Sequence, residues 1–191
     1  MHLRWGFRTE ARDIAAEVRL ELGVRLTDRF DPWQLAKHLD IPIFSLSSFQ
    51  SEIPDVCDHF LTVEQATFSA VTVFKGSQRL IVHNDAHSRS RQASDVCHEL
   101  SHGLLMHTPT PAIDDRGCRH WNRAIEDEAT WLAGALLVTD AIALKIVRDQ
   151  LDLDVAVDRY GVSRRMLEFR INVSGARARV RRANNRRLRN E

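Results

Sequence analysis

The string His98-Glu99-Leu100-Ser101-His102 is the part of the chain best suited to chemistry. On a helix, His98 and His102 lie four residues apart and point the same way, so they can offer two imidazole nitrogens to one metal ion. Glu99 stands about 100° further round the helix. That offset removes it from the ligand line and leaves it within reach of a metal-activated water as general base. Val96, Leu100 and Leu104 form an apolar line beside the histidines, and Gly103 allows close packing over the second one. A hydrolytic zinc centre needs a third protein ligand and an open fourth position. Glu126, Asp127 and Glu128 are the candidates. From Glu126 a packing face continues through Ala129, Ala133 and Leu137, with Leu136 beside it. Glu126 then looks inward, and Asp127 points about 100° away, toward solvent. Glu126 is preferred to Glu128 because it shares that one face. All three acids also suit a helix N-terminus through its dipole, which is reason enough for Asp127. The expected site is therefore His98, His102 and Glu126 as ligands of Zn2+, with Glu99 as catalytic base. Two imidazoles and a carboxylate favour zinc without excluding other divalent ions.

Helices have to position these groups. Ala11, Ile14, Ala15, Val18 and Leu22 predict a first helix that stops at Gly23. Residues 32–39 predict a second, with Asp31 as N-cap and Pro32 in the first turn. Short β-branched and aromatic runs at 41–46, 60–63, 68–74 and 80–82 predict strands. The last two form a hairpin across Lys75-Gly76-Ser77. The pattern then turns helical over about 89–107, 123–138, 140–151, 154–160 and 163–173, with Pro109 and Pro111 breaking the first from the second. Helices, a small sheet and more helices predict an α+β domain, its small mixed or antiparallel sheet packed against a helical core.

Length sets one domain, taken as residues 1–173, followed by a basic tail at 174–191. The net charge of +1 conceals this division. The tail carries seven Arg and one Glu, a local charge of +6, so the remainder carries −5. A chain basic throughout is excluded. The tail is either a solvated helix extension or an unstructured end. The first seven residues hold no apolar leader, and the longest apolar run, 131–138, is far too short to span a membrane. Cys57, Cys97 and Cys118 are odd in number and irregularly spaced, as suits a reducing compartment. A cytoplasmic location and no membrane contact are expected.

Asn84-Asp85 follows an apolar strand, and His98 to His102 continues as Gly103-Leu104-Leu105-Met106-His107. Glu126-Asp127-Glu128-Ala129-Thr130 runs into Ala133-Gly134-Ala135-Leu136-Leu137-Val138. Tyr160-Gly161-Val162-Ser163 comes last, with Arg170 downstream. In this order the chain resembles the ImmA/IrrE family of metallo-endopeptidases, over roughly residues 10–173. The resemblance implies a zincin-like core of the gluzincin type, with zinc on His98, His102 and Glu126 and Glu99 as base. It implies a regulatory peptidase that cuts a helix-turn-helix repressor at one site, in transcription regulation or a stress response. Three positions depart from the family pattern. Thr130 stands where Asn or Asp is frequent and orients a ligand histidine. Val138-Thr139 replaces Met-Pro, and Cys97 replaces a small apolar residue. None of these removes a ligand.

A zinc hydrolase adds a donor for the developing oxyanion; His120, Tyr160 and Arg165 are candidates. His107 is expected to cap its helix, and His83 and His87 either to line the cleft or to shape a turn. A strand of the sheet is suited to take the substrate in extended form. A reading from another class also exists. Residues 154–160, Gly161 and 163–173 outline a helix-turn-helix, with Arg164, Arg165 and Arg170 to read a groove. The chain is then a DNA-binding regulator that merely holds zinc, or a partner that occludes a repressor without cutting it. Against the DNA reading, Met166, Phe169 and Val173 are spaced to enter a core. The arginines from Arg177 to Arg189 are expected to give a weak, salt-sensitive nucleic-acid contact at most.

Overall fold

The computed structural model describes residues 2–76, 78–108, 122–187 and 189. Among them the helices are α1 (Phe7–Glu21), α2 (Pro32–His38), α3 (Pro54–Asp58), α4 (Arg89–Leu104), α5 (Arg123–Leu137), α6 (Asp140–Arg148), α7 (Leu153–Tyr160), α8 (Arg164–Val173) and α9 (Ala176–Arg187). The strands are β1 (Ile43–Ser45), β2 (Ala70–Lys75) and β3 (Gln78–His83), in the order β1-β3-β2. β1 runs parallel to β3 with Ile43 opposite Ile81, and β2 runs antiparallel with Thr72 opposite the same residue. The fold is α+β with a small mixed sheet, and β2 is one of its edges.

α5 is the centre of the core. Trp131 through Leu137 are buried without interruption, so neighbours must enclose the helix on all sides. α1, α4 and α8 pack against it. They contribute Phe7, Ala11 and Ala15, then Val96, Cys97 and Leu100, then Leu167 and Ile171, to one continuous cluster. Cys57 and Cys97 are buried free thiols.

The structure corrects several expected elements. Residues 60–63 are not a strand. They belong to a π-helical turn, His59–Val63, that continues α3, and Thr62 Oγ1 donates to Asp58 O at 2.6 Å. The side-chain amide of Asn84 donates to Phe60 O at 3.0 Å and to Phe68 O at 3.0 Å. Asn84 thus takes a carbonyl that a sheet neighbour would otherwise have to satisfy. β-propensity reflects fit to a pleated, half-buried surface, and here no such surface is offered. The first strand shrinks to Ile43–Ser45. α4 stops at Leu104, because Met106 adopts φ 50 and reverses the chain. Of the two forms expected for the basic tail, the described residues show the helix. Gly175 at φ 68 turns the chain from α8 into α9, Ala176 is fully buried, and α9 packs on α6 and α8. Ser77, Pro109, Pro111, Cys118 and His120 lie outside the described residues.

Candidate active site

The loop into α4 is tied down by one side chain. Gln92 Nε2 donates to His87 O at 2.6 Å and to Asp85 O at 3.1 Å. Along α4, Ala93, Val96, Cys97 and Leu100 recur at helical spacing and are buried. The opposite face, with Asp95, His98, Glu99 and His102, therefore lines an open cleft. α5 starts at the other wall, where the Asn122 side chain accepts from Ala124 N at 3.2 Å. Glu126 follows in the first turn, where the helix dipole favours an anion.

His98, His102 and Glu126 converge. His98 Nε2 lies 3.0 Å from His102 Nε2 and 3.1 Å from Glu126 Oε2, and His102 Nε2 lies 3.7 Å from that same oxygen. In a tetrahedral zinc site with bonds near 2.0–2.1 Å, ligand atoms sit about 3.3–3.4 Å apart. The three observed edges bracket that value, so one zinc-sized ion fits this donor set. Hydrogen bonding with His102 and then with His98 holds the Glu126 pKa down at about 2, so its carboxylate is ionised at neutral pH.

The far nitrogens of both imidazoles are also engaged. His98 Nδ1 is 3.3 Å from Thr130 Oγ1, and His102 Nδ1 is 3.0 Å from His107 Nδ1. For both imidazoles to ligate an ion through Nε2, the proton that Nε2 gives to Glu126 would move to Nδ1, where these partners would hold it. Glu99 stays outside the triangle, and its Oε2 accepts from Thr72 Oγ1 at 2.5 Å. That bond sets the expected base beside the edge strand. Glu128, the rival ligand, points elsewhere: it is 7 % exposed and pairs with Arg4. Asp127 accepts from His2 N at 2.6 Å.

Other expected residues are not brought to the cleft. Tyr160 is buried, and its hydroxyl has no partner among the described residues. Arg165 is exposed, and neither residue lines the cleft. His87 Nε2 donates to Gln65 O at 2.8 Å, and His83 stands edge-on to Trp33 at 5.9 Å, so both build the turn before α4. Three contributors escaped the sequence reading. Thr72 and His107 are two. The third is Arg79, whose guanidinium packs on Gly103 so closely that a Cβ there would lie 2.4 Å from Nη1. The signal for Arg79 was Gly103 itself, expected to admit a close neighbour.

The IrrE N-terminal-like domain, a peptidase family, matches residues 36–172. That span is more than two thirds of the chain and contains His98, Glu99, His102 and Glu126. The chain belongs to this family. A metallopeptidase-type function comes with membership, and His98, His102 and Glu126 form a group that could hold a metal ion. Among curated proteins, none matches the chain. No single helix among the described residues is long and apolar enough to cross a membrane. The helix-turn-helix outline of α7 and α8 falls mostly inside the IrrE-like span and serves packing. Arg170 is buried, donating to Val138 O at 2.9 Å and to Asp140 Oδ1 at 3.1 Å. Arg164 is paired with Asp154 and Glu168. Of the three groove-reading candidates, Arg165 has no such tie among the described residues.

Proposed function

We propose that this IrrE-like domain is a zinc-dependent metallo-endopeptidase of the cytoplasm that cuts a helix-turn-helix repressor at one site and so relieves repression, as in a stress response. One observation carries the reading: a donor triangle of His98, His102 and Glu126, with Glu99 beside it and outside it. The form of the cleft supports a polypeptide substrate. Its volume of about 1220 Å³ exceeds the roughly 300–1,000 Å³ usual for small ligands. Ser69, Ala70, Val71 and Thr72 of the edge strand and its approach line it, so an extended segment can pair there.

When bound, zinc polarises a peptide carbonyl and lowers the pKa of water to about 7. Glu99 takes a proton from the attacking water. Thr72 occupies Oε2, which leaves Oε1 for that proton. A C–O bond forms at the scissile carbonyl and the C–N bond breaks. Glu99 returns its proton to the departing nitrogen and is a carboxylate again. One water is consumed, and a carboxyl and an amino terminus are produced.

The test is incubation of the full chain with the helix-turn-helix protein encoded beside its gene, with and without chelator, read by intact-mass spectrometry. A single metal-dependent cut is expected, and purified protein without bound zinc would end the reading. Glu99→Gln should keep zinc and partner binding and abolish cleavage. Repressor inactivation that survives Glu99→Gln would assign the chain to occlusion instead of proteolysis. A second contact is favoured by α9, whose arginines Arg177, Arg179, Arg181, Arg182 and Arg186 are all exposed. It is a weak, sequence-independent hold on nucleic acid, secondary to the peptidase.

A further inference from the structure

We infer that a side-chain relay running from His102 through His107 and Glu128 to Arg4 positions the metal centre, so that the N-terminal segment, outside the matched span, supports the site. The inference rests on the zinc reading.

The relay begins with the reversal after α4. Met106 at φ 50 turns the chain back, and His107 N donates to His102 O at 3.0 Å. This returns the His107 ring to the His102 ring, with centroids 5.0 Å apart and planes at 67°. The two Nδ1 atoms then meet at 3.0 Å. For His102 to present an Nε2 lone pair, its Nδ1 must carry the proton and donate it to His107 Nδ1. His107 accordingly holds its own proton on Nε2, which faces Glu128 Oε2 at 3.8 Å.

Glu128 is a buried carboxylate and needs a compensating charge. Arg4 provides it through Nη1. Arg4 is itself anchored: Nη2 donates to Glu10 at 2.6 Å, and its guanidinium lies 4.6 Å from the centre of the Phe7 ring. Two residues earlier, His2 N holds Asp127, the neighbour of both Glu126 and Glu128. The two ligand histidines are thus oriented by different means. His98 leans on a single hydroxyl of α5. His102 leans on a charged chain that crosses to the start of α1.

The test uses the full-length chain and needs no substrate. Zinc affinity is measured by chelator competition, cobalt-substituted absorption reports ligand geometry, and thermal melting reports the fold. His107→Leu keeps bulk and removes the acceptor. It should weaken zinc binding by about 10–100-fold and shift the cobalt bands. His107→Asn, which restores an acceptor oxygen, should recover much of the loss. Arg4→Met should weaken binding in the same direction, and its effect should shrink in the His107→Leu background because the two share one chain of contacts. His107→Leu with wild-type zinc affinity and cobalt spectrum would overturn the relay, as would fully additive losses. If His107→Leu melts early, the Asn and Arg4 variants still decide the matter. A wild-type chain that binds no zinc removes the underlying reading instead, and the two failures are therefore distinct.

Discussion

Thr130 and Thr72 give the site two hydroxyl supports that do different jobs. Thr130 Oγ1, at 3.3 Å from His98 Nδ1, orients a ligand. Thr130→Val should therefore weaken zinc by about 10-fold, and Thr130→Asp, a stronger acceptor, should restore or exceed wild-type affinity in the same competition assay. Thr72 touches the base and no ligand atom. Thr72→Val should leave zinc content unchanged and lower kcat by about 10-fold, because Glu99 is then free to turn from its working rotamer. Equal loss of zinc in both variants would show that the two roles are not separable. The sequence made the ligand pair legible because a spacing of four on one helix is a local property. Glu126 was legible because a single face of α5 continues from it. Thr72 was not, since its contact with Glu99 depends on how a sheet edge settles against α4. His107 was legible as a helix cap, and its N–H closes the end of α4 on His102 O; the return of its ring to His102 was not legible, because a left-handed Met106, a rare conformation for that side chain, could not be read from residue type.

At the scale of elements, the end of α5 depends on two buried arginines. Arg19 Nη2 donates to Leu136 O at 2.7 Å, and its Nη1 reaches Arg25 O at 2.9 Å and Asp28 O at 3.0 Å. Arg170 Nε takes Val138 O at 2.9 Å. Helix C-termini leave carbonyls without partners, and these guanidinium groups satisfy them where water cannot reach. Burial lowers the Arg19 pKa to about 10, which still leaves the group charged at neutral pH. Arg19→Met strands those carbonyls and should cost roughly 2–3 kcal/mol in urea unfolding of the metal-free chain. Zinc affinity of the folded variant should stay unchanged, since Arg19 joins α1 to the far end of α5, several turns from Glu126. A drop in affinity would mean that the α5 terminus is coupled to the site. Long amphipathic elements such as α1 and α4 were legible from their period. The 60–63 run was misread because four β-prone residues carry no information about whether a neighbouring strand exists. α5 was legible as a helix, but its burial on all sides follows only once α1, α4 and α8 surround it.

For the whole molecule, the charge asymmetry acquires a location. The family match ends at residue 172, and the positive charge lies on α9 beyond it. α9 is docked through a fully buried Ala176 against α6, so its arginines are presented from a fixed helix. Among the described residues none of Arg177, Arg179, Arg181, Arg182 and Arg186 takes part in an ion pair. Their charge is therefore available to an external anion. Each phosphate neutralised releases about 0.9 counterion from duplex DNA, so the seven arginines of the tail set a limiting salt slope near −6.3 in a log–log plot. The full chain should retain a DNA fragment of arbitrary sequence at low salt, with a slope no steeper than that limit. Changing Arg177, Arg181, Arg182 and Arg186 together to Gln should flatten the slope by up to about 3.6 while zinc content and repressor cleavage persist. Deleting residues 174–191 should abolish retention and, because Ala176 leaves the core, lower Tm by a few degrees with zinc still bound. Retention that survives the deletion would move the anion-binding surface onto the −5 body of the domain. Loss of zinc on deletion would show that α9 is an integral part of the peptidase fold.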